Sequence, residues 1–208
     1  MLSLQTVLPN TLELLRVLMQ MPVLQQMRLV GGTALALQYG HRRSVDLDFF
    51  GHFNESADEM TQHFSEKFAD IVRHNGTKNI MPYFLNGVKV DIVNYDYPWI
   101  DNPVMEDGIR LASPKDIAAM KVNAIIGRGT KKDFIDVYFL LKHFSFEELI
   151  ELYSKKYPEA SEYRALLSMT YFEDAEPQPM PLMFENVKWM DIKKHIKHEV
   201  ELYMRKHS

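Results

Sequence analysis

The residues with the clearest chemical potential are two aspartates separated by one residue, Asp46 and Asp48. Val45, Leu47 and Phe49 alternate with them, which predicts a strand whose apolar side chains face the core while both carboxylates project from the other face. Two carboxylates about 5 Å apart repel by roughly 3 kcal/mol at an effective dielectric constant of about 20. A cation, a basic side chain or a proton must relieve that repulsion, and a divalent metal ion is the simplest choice.

A pair of glycines precedes these acids. Gly31 and Gly32 follow a short apolar run and precede a helix predicted from Thr33 to Tyr39, so they lie at a strand-to-helix turn. Free backbone N–H groups and the helix dipole favour an anion at such a turn, and the Thr33 hydroxyl can either cap the helix or contact a phosphate. An anion cradle beside paired carboxylates suits a metal-bound nucleoside triphosphate.

A third acid, Asp91, lies on another predicted strand. Asn86-Gly87 is a strong signal for a type I′ hairpin, and the residues after it alternate between apolar and polar, so Asp91 points away from the core. If this strand pairs with the strand of Asp46 and Asp48, the three carboxylates converge. Taken alone, Asp91 is equally well explained as a solvated surface residue.

Three acids on neighbouring strands beside a glycine-rich turn resemble the active site of the nucleotidyltransferase fold typified by DNA polymerase beta. More narrowly, the chain resembles the AbiEii/AbiGii family of nucleotidyltransferase-like toxins, to which the mycobacterial MenT toxins are similar. Three blocks carry the resemblance, GGTAL from Gly31, RxSxDxDF from Arg42 and KDFIDVY from Lys132, and it spans roughly residues 27–142. It implies an α+β fold, with a mixed sheet flanked by helices and a helical C-terminal part. It also implies that Asp46, Asp48 and Asp91 are catalytic metal ligands.

Lys121 lies in the apolar stripe of a helix that is predicted to begin after Ser113, with Pro114 at its first position and Asp116 completing a capping box. A partly buried ammonium group needs an anionic partner. The resemblance implies that Lys121 is a catalytic residue that holds phosphates. The alternative is that Lys121 extends to solvent along its aliphatic stem.

Asp133 and Asp136 fall on one side of a second predicted helix in this region. The resemblance places Asp136 among the catalytic residues, where it orients Lys121 or acts as a base on the incoming hydroxyl. It assigns Asp133 to the support of Arg128 or its loop. The alternative for Asp136 is a salt bridge with Lys132 on the helix surface, which would contribute only a few tenths of a kcal/mol.

Arg42, Arg43 and Ser44 precede the acidic strand. Either arginine can reach a phosphate or a nucleobase, and for each one singly an ordinary surface arginine is as good an explanation. The spacing of Arg43 to Ser44-Val45-Asp46 favours it, and Ser44 can cap or orient Asp46. The residues assigned to nucleotide or phosphate binding are therefore Gly31, Gly32, Thr33, Arg43, Ser44, Lys121, Arg128 and Asp133.

Composition limits the class of protein. With 208 residues, of which 46% are hydrophobic, the chain can bury a real core. Residues 1–111 are expected to form the nucleotidyltransferase core, and residues 112–208 a helical region that completes the active site. Zero cysteines exclude thiolate ligands, so oxygen ligands and hence Mg²⁺ or Mn²⁺ are expected. We find no apolar run near 18 residues and no leader, and we expect a cytoplasmic protein without a membrane partner.

Within that limit, the expected function is transfer of a nucleoside monophosphate from a nucleoside triphosphate to an acceptor hydroxyl. In the family context the acceptor is tRNA or another RNA, and the protein is the toxin of a type IV abortive-infection system for phage defence with a cognate antitoxin encoded nearby. The net charge of −4 restricts RNA binding to a local basic patch. The alternatives are a small-molecule acceptor, as in antibiotic-modifying enzymes of this fold, and a nucleotide-binding module without turnover.

Overall fold

A seven-stranded mixed sheet forms the centre of the first of two units in this computed structural model, which describes residues 1–207. The first unit comprises Met1–Gly40, Ser44–Asp96 and Pro103–Ala112, and the second comprises His41–Arg43, Tyr97–Asn102 and the chain from Ser113 onward. The strands are β1 (Arg28–Val30), β2 (Leu47–Gly51), β3 (Ile71–Arg73), β4 (Ile80–Leu85), β5 (Val88–Asn94), β6 (Val104–Glu106) and β7 (Ile109–Leu111). The prediction of a mixed sheet is confirmed.

The strand order places the acidic strand at the middle of the sheet. This order is β3-β4-β5-β2-β1-β7-β6, with β2 parallel to β5, β1 parallel to β7 and the other neighbours antiparallel. Leu47 and Phe49 on β2 are fully buried, as predicted, but Val45 is 42% exposed. The expectation that Val45 faces the core is wrong, because the strand begins only at Leu47.

A local sequence signal in the first unit predicted the turn between β4 and β5. Asn86 and Gly87 have φ angles of 48° and 77°, which confirms the tight hairpin between β4 and β5. Ser56 and Glu59 form a capping box at the start of the helix α3 (Ala57–Ser65). The other two α-helices of this unit are α1 (Pro9–Gln20) and α2 (Gly31–Tyr39).

The second unit contains five α-helices and no strand among its described residues. They are α4 (Pro114–Gly127), α5 (Lys131–Leu140), α6 (Phe146–Lys156), α7 (Glu162–Met169) and α8 (Trp189–Lys206). The prediction of a helical C-terminal part is confirmed, although α7 was not predicted. In the part of the chain that the structure describes, no helix combines the length and apolar character needed to cross a membrane.

Asp116 differs from its predicted role. Ser113 caps α4 by accepting a hydrogen bond from the backbone N–H of Asp116 at 3.0 Å, as expected. The Asp116 carboxylate, however, accepts hydrogen bonds from the Lys156 ammonium group and the Ile100 N–H, each at 2.8 Å. Burial raises the pKa of Asp116, but these hydrogen bonds outweigh that effect and lower it. Only the Ser113 half of the predicted capping box is thus present, and the Asp116 carboxylate, which also accepts a hydrogen bond from the Ser113 hydroxyl at 2.7 Å, forms a buried ion pair with Lys156.

Candidate active site

The pairing of β2 with β5 places two of the predicted acids side by side. The parallel register sets Asp48 directly opposite Asp91, with the buried neighbours Leu47 and Val90 paired next to them. Both aspartates are partly exposed on the opposite face from this core. Asp46 precedes β2 and is also partly exposed. The structure thus brings Asp48 and Asp91 together on one face of the sheet, whereas Asp46, which was expected to lie on the same strand face as Asp48, precedes the strand.

Lys89 contacts this acidic pair and was not singled out from the sequence. Its ammonium group lies 2.7 Å from Asp91 Oδ2, whereas Asp91 Oδ1 is buried and has no hydrogen-bond partner. Burial alone would lower the pKa of Lys89, but its hydrogen bond to Asp91 and the charges of Asp91, Asp48 and Asp46 raise that pKa. A basic side chain therefore relieves part of the repulsion among the acids. The spacing of Lys89 and Asp91 on one strand face was the available signal.

Gly31 lies against the Asp48 carboxylate at the start of α2. Its φ angle is 68°, which is in the left-handed region that glycine adopts without steric cost. A Cβ atom at this position would collide with Asp48 Oδ2 and lie 3.3 Å from Asp48 Cγ. Glycine is therefore required at position 31 for two reasons, the positive φ angle of the backbone and the close approach of the Asp48 carboxylate. Gly32 follows it in the first turn of the helix.

The Thr33 hydroxyl does not cap α2, contrary to one of the two predictions for it. The N-cap residue is Val30, and no side chain caps the helix. The Thr33 hydroxyl instead lies 2.9 Å from Ser44 Oγ and contacts the backbone carbonyl of Asp46. Thr33 and Ser44 therefore fix the segment that leads into β2, and so position Asp46 next to Asp48.

The carboxylates of Asp46, Asp48 and Asp91 supply only oxygen donors, which suit Mg²⁺ or Mn²⁺. The unpartnered Asp91 Oδ1 also fits a cation ligand. Within residues 1–207, no group of three or more His, Asp or Glu side chains is arranged to hold a metal ion. The oxygen donors of the three carboxylates suit a divalent ion in kind, although the side chains do not form a group of three ligands. The Lys89 ammonium group supplies positive charge beside these acids.

Lys121, in the second unit, is held in a buried charge cluster. Its ammonium group lies 3.0 Å from Asp133 Oδ1 and 2.6 Å from Asp136 Oδ2, so both acids of α5 face it as predicted. Arg42 donates two hydrogen bonds to Asp136, at 2.7 and 2.8 Å, and His41 Nε2 lies 2.8 Å from the same carboxylate. Because Lys121 is only 4% exposed, it does not extend into solvent.

Asp133 also contacts the loop before α5. Arg128 donates two hydrogen bonds to its carboxylate, at 2.9 and 3.0 Å, and the Thr130 hydroxyl donates another at 2.6 Å. This geometry supports the expected role of Asp133 in holding Arg128 and its loop. Lys132 is exposed, and Asp136 is occupied by other cations, so the alternative of a surface salt bridge between them is not favoured.

The charges in this cluster are strongly stabilised. Burial raises the pKa of Asp136, but the positive charges of Arg42 and Lys121 and the bond from His41 hold it well below its ordinary value. Burial likewise lowers the pKa of Lys121, and the two aspartates more than reverse that effect. A carboxylate with such a low pKa is a weak base. The geometry therefore favours the orienting role of Asp136 over its role as a base.

The two arginines before the acidic strand differ in their surroundings. Arg42 is 2% exposed and bound to Asp136, so the prediction that it reaches a nucleotide is not supported. Arg43 is partly exposed; its backbone N–H bonds to the Leu182 carbonyl at 2.8 Å, and its Nε is buried without a hydrogen-bond partner. Of the two, Arg43 retains donor capacity for a ligand.

Replacing Asp136 by asparagine is expected to lower the free energy of unfolding by about 3–5 kcal/mol, since it leaves buried cations uncompensated. Because the folded pKa values of Asp133 and Asp136 lie below the ordinary values, their contribution is present above about pH 4 and is lost as the pH falls further. Urea unfolding at pH 7 and pH 3 should show a smaller pH dependence in the variant. An unchanged unfolding midpoint at pH 7 would show that the cluster is not stabilising.

The sheet, the register-matched aspartates and the glycine turn together define a nucleotidyltransferase fold. A family model described as "Nucleotidyl transferase AbiEii toxin, Type IV TA system" matches residues 13–205. The chain therefore belongs to the AbiEii nucleotidyltransferase toxin family and is a nucleotidyltransferase. This family membership implies a nucleoside triphosphate substrate and an antitoxin partner.

The similarity to other proteins covers almost the whole chain. An uncharacterized protein of Aquifex aeolicus strain VF5 is 34% identical over 199 residues, which cover 92% of this chain and 95% of that protein. The crystal structure of JHP933 from Helicobacter pylori matches with a TM-score of 0.60 at 23% identity, covering 99% of this chain and 94% of that one. MenT4, a nucleotidyltransferase toxin of Mycobacterium tuberculosis, matches with a TM-score of 0.56 at 12% identity, covering 90% and 82%. At these identities the two structures show a shared fold.

Proposed function

We propose that this nucleotidyltransferase transfers a nucleoside monophosphate from a nucleoside triphosphate to a hydroxyl group of an RNA acceptor, with tRNA as the first candidate. The observation that carries the proposal is the direct pairing of Asp48 with Asp91 on adjacent parallel strands, beside Gly31, whose close approach to the Asp48 carboxylate leaves no room for a side chain. Paired carboxylates next to a helix N-terminus suit phosphoryl transfer. The carboxylates can bind a cation and the attacking hydroxyl, while the N–H groups of the helix N-terminus bind the phosphates.

Asp46, Asp48 and Asp91 would hold Mg²⁺ or Mn²⁺, which supplies polarisation of a phosphoryl oxygen and neutralisation of developing charge. Asp91 has a second task in this proposal. Its Oδ1 is buried and unpartnered while Oδ2 is bound to Lys89, so Oδ1 can accept the hydrogen of an acceptor hydroxyl. The hydrogen bond from Lys89 to Oδ2 holds the Asp91 carboxylate in one orientation.

The phosphates of the donor are assigned to the N-terminus of α2. Its first N–H groups belong to Gly31, Gly32 and Thr33, where no side chain caps the helix, and they favour an anion. Ser44 acts through Thr33, to which it is hydrogen bonded. Arg43, Arg128 and Lys121 remain proposed nucleotide or phosphate ligands from the family resemblance, with Asp133 and Asp136 orienting the last two.

The wider biological part of the proposal rests on the family description. The protein would act as the toxin of a type IV toxin–antitoxin system, in the cytoplasm, with a cognate antitoxin encoded nearby and a role in phage defence. The family is described as belonging to type IV systems, which supports this assignment.

Label transfer from each α-³²P nucleoside triphosphate to total tRNA, with Mg²⁺, tests the proposal. We expect label on RNA with the wild type and with Asp107→Asn, but not with Asp48→Asn. Asp107 is a matched control because it is exposed in the β6–β7 turn at a φ angle of 51°, where asparagine is well tolerated.

Two results would contradict the proposal. Label on an aminoglycoside or another small molecule, with none on RNA, would establish a small-molecule acceptor. Nucleotide binding without transfer to any acceptor would indicate a module without turnover.

A further inference from the structure

An exposed apolar patch lies on the same sheet face as the acids. Val72 on β3 and Ile80 and Phe84 on β4 are 47%, 43% and 37% exposed. On β4, Ile80 and Phe84 alternate with the buried residues Met81, Tyr83 and Leu85, which face the core. An exposed apolar group of this kind, which the catalytic proposal does not use, is typical of a binding surface.

The register of the sheet connects this patch to Asp91. Asp91 pairs with Pro82, and Lys89 pairs with Phe84, which in turn pairs with Val72. Directly paired residues share a face of the sheet. Phe84 is therefore the diagonal neighbour of Asp91, at about 7–8 Å, a distance that long and aromatic side chains can span.

The ring of Phe84 is held by a second ring. His74, which follows β3, lies with its ring centroid 5.3 Å from that of Phe84 in an edge-on arrangement. Such contacts favour a defined ring orientation. The patch therefore presents an aromatic surface rather than only scattered apolar side chains.

The order of strands assigns this patch to the acceptor side. Gly31 follows β1, which lies on one side of β2, whereas β5 and then β4 lie on the other side. In phosphoryl transfer the attacking and leaving oxygens are roughly in line on opposite sides of the phosphorus. If the leaving pyrophosphate lies at the Gly31 turn, the attacking hydroxyl lies over β5, and the rest of the acceptor extends over β4.

We propose that Phe84, with Val72 and Ile80, forms a stacking platform for the nucleobase next to the reacting hydroxyl of the acceptor RNA. This inference deepens the proposed function and rests on it. A nucleobase is the favoured occupant, because the platform is aromatic and lies about one sugar unit from Asp91. Base stacking on aromatic side chains tolerates any sequence, so this contact would recognise an RNA end without selecting its sequence.

Steady-state transfer to RNA by Phe84→Ala tests the platform. We expect the KM for RNA to rise about tenfold, within the range for loss of one stacked base, while kcat changes less than twofold. Phe84→Tyr keeps the ring and should restore the wild-type KM. Phe184→Ala is a matched control, since Phe184 is 40% exposed in the second unit, and we expect it to leave KM unchanged.

An acceptor RNA with an abasic terminal nucleotide provides the decisive comparison. With the wild type, the KM for the abasic acceptor should be about tenfold higher than the KM for normal RNA. With Phe84→Ala, the KM values for abasic and normal acceptors should be the same. An equal KM for normal and abasic acceptors with the wild type would overturn the platform, even if Phe84→Ala failed to fold. An unchanged KM for RNA in a folded Phe84→Ala would likewise overturn the platform. Absence of RNA labelling by the wild type would refute the proposed function itself.

Discussion

Replacing Asp91 by asparagine is expected to lower the rate of nucleotide transfer by about 10³-fold or more, as loss of one member of a catalytic group does. The amide keeps the shape of the side chain but removes the charge, and an amide oxygen is too weak a base to take the hydroxyl proton. Folding should be preserved, because the Lys89 side chain that loses its partner is 42% exposed and such pairs contribute little stability. Rates and unfolding midpoints measured on the same preparations check both statements.

The double variant Asp48→Asn, Asp91→Asn tests whether the two acids act as one unit. Each single substitution should remove nearly all transfer, and the double substitution should be little worse than either, since residues that act together show strong non-additivity. Asp107→Asn provides the control for a charge change alone. Additive losses from the two single substitutions would show that Asp48 and Asp91 act independently.

Replacing Gly31 by alanine is expected to lower transfer by about 10²-fold or more, the effect of displacing a catalytic group by about 1 Å. The new methyl group would collide with the Asp48 carboxylate, so Asp48 must move away from its position opposite Asp91. The positive φ angle of Gly31 should in addition cost about 1–2 kcal/mol of stability.

Gly108→Ala separates these two effects. Gly108 has a φ angle of 76°, and a Cβ atom there would meet nothing within 4 Å, so the variant shares the backbone strain without the collision. We expect similar unfolding midpoints for the two variants and a loss of transfer only in Gly31→Ala. Full transfer by Gly31→Ala would show that the position of Asp48 is not critical.

The face that each acid of the central pair occupies on its own strand was predictable, because each acid lies in a local pattern of alternation. The parallel pairing of β2 with β5, which sets Asp48 opposite Asp91, is a long-range contact that the sequence left as a condition. The start of β2 was not predictable from alternation. The Thr33 hydroxyl, 13 residues away, binds the carbonyl of Asp46, and β2 begins only at Leu47.

Long-range ion pairs were the part that the sequence did not reveal. Arg42 and Asp136 are 94 residues apart, and Asp116 and Lys156 are 40 residues apart. Nothing in their local patterns distinguishes these residues from surface charges, and only the folded chain shows that they are buried. Lys89 differs from these residues, because its spacing from Asp91 on one strand face was a local signal, although the charges of Asp48 and Asp46 that also act on it became visible only in the folded chain.

The central claim is that the acids of β2 and β5 catalyse transfer of a nucleotide to RNA. The most direct test compares α-³²P with γ-³²P label in the nucleoside triphosphate that gives labelled RNA, using the wild type and Asp91→Asn. We predict that the wild type retains the α label on the RNA and releases the γ label as pyrophosphate. We predict that Asp91→Asn neither labels the RNA nor releases labelled pyrophosphate. Retention of the γ label on RNA, or undiminished transfer by Asp91→Asn, would contradict this account.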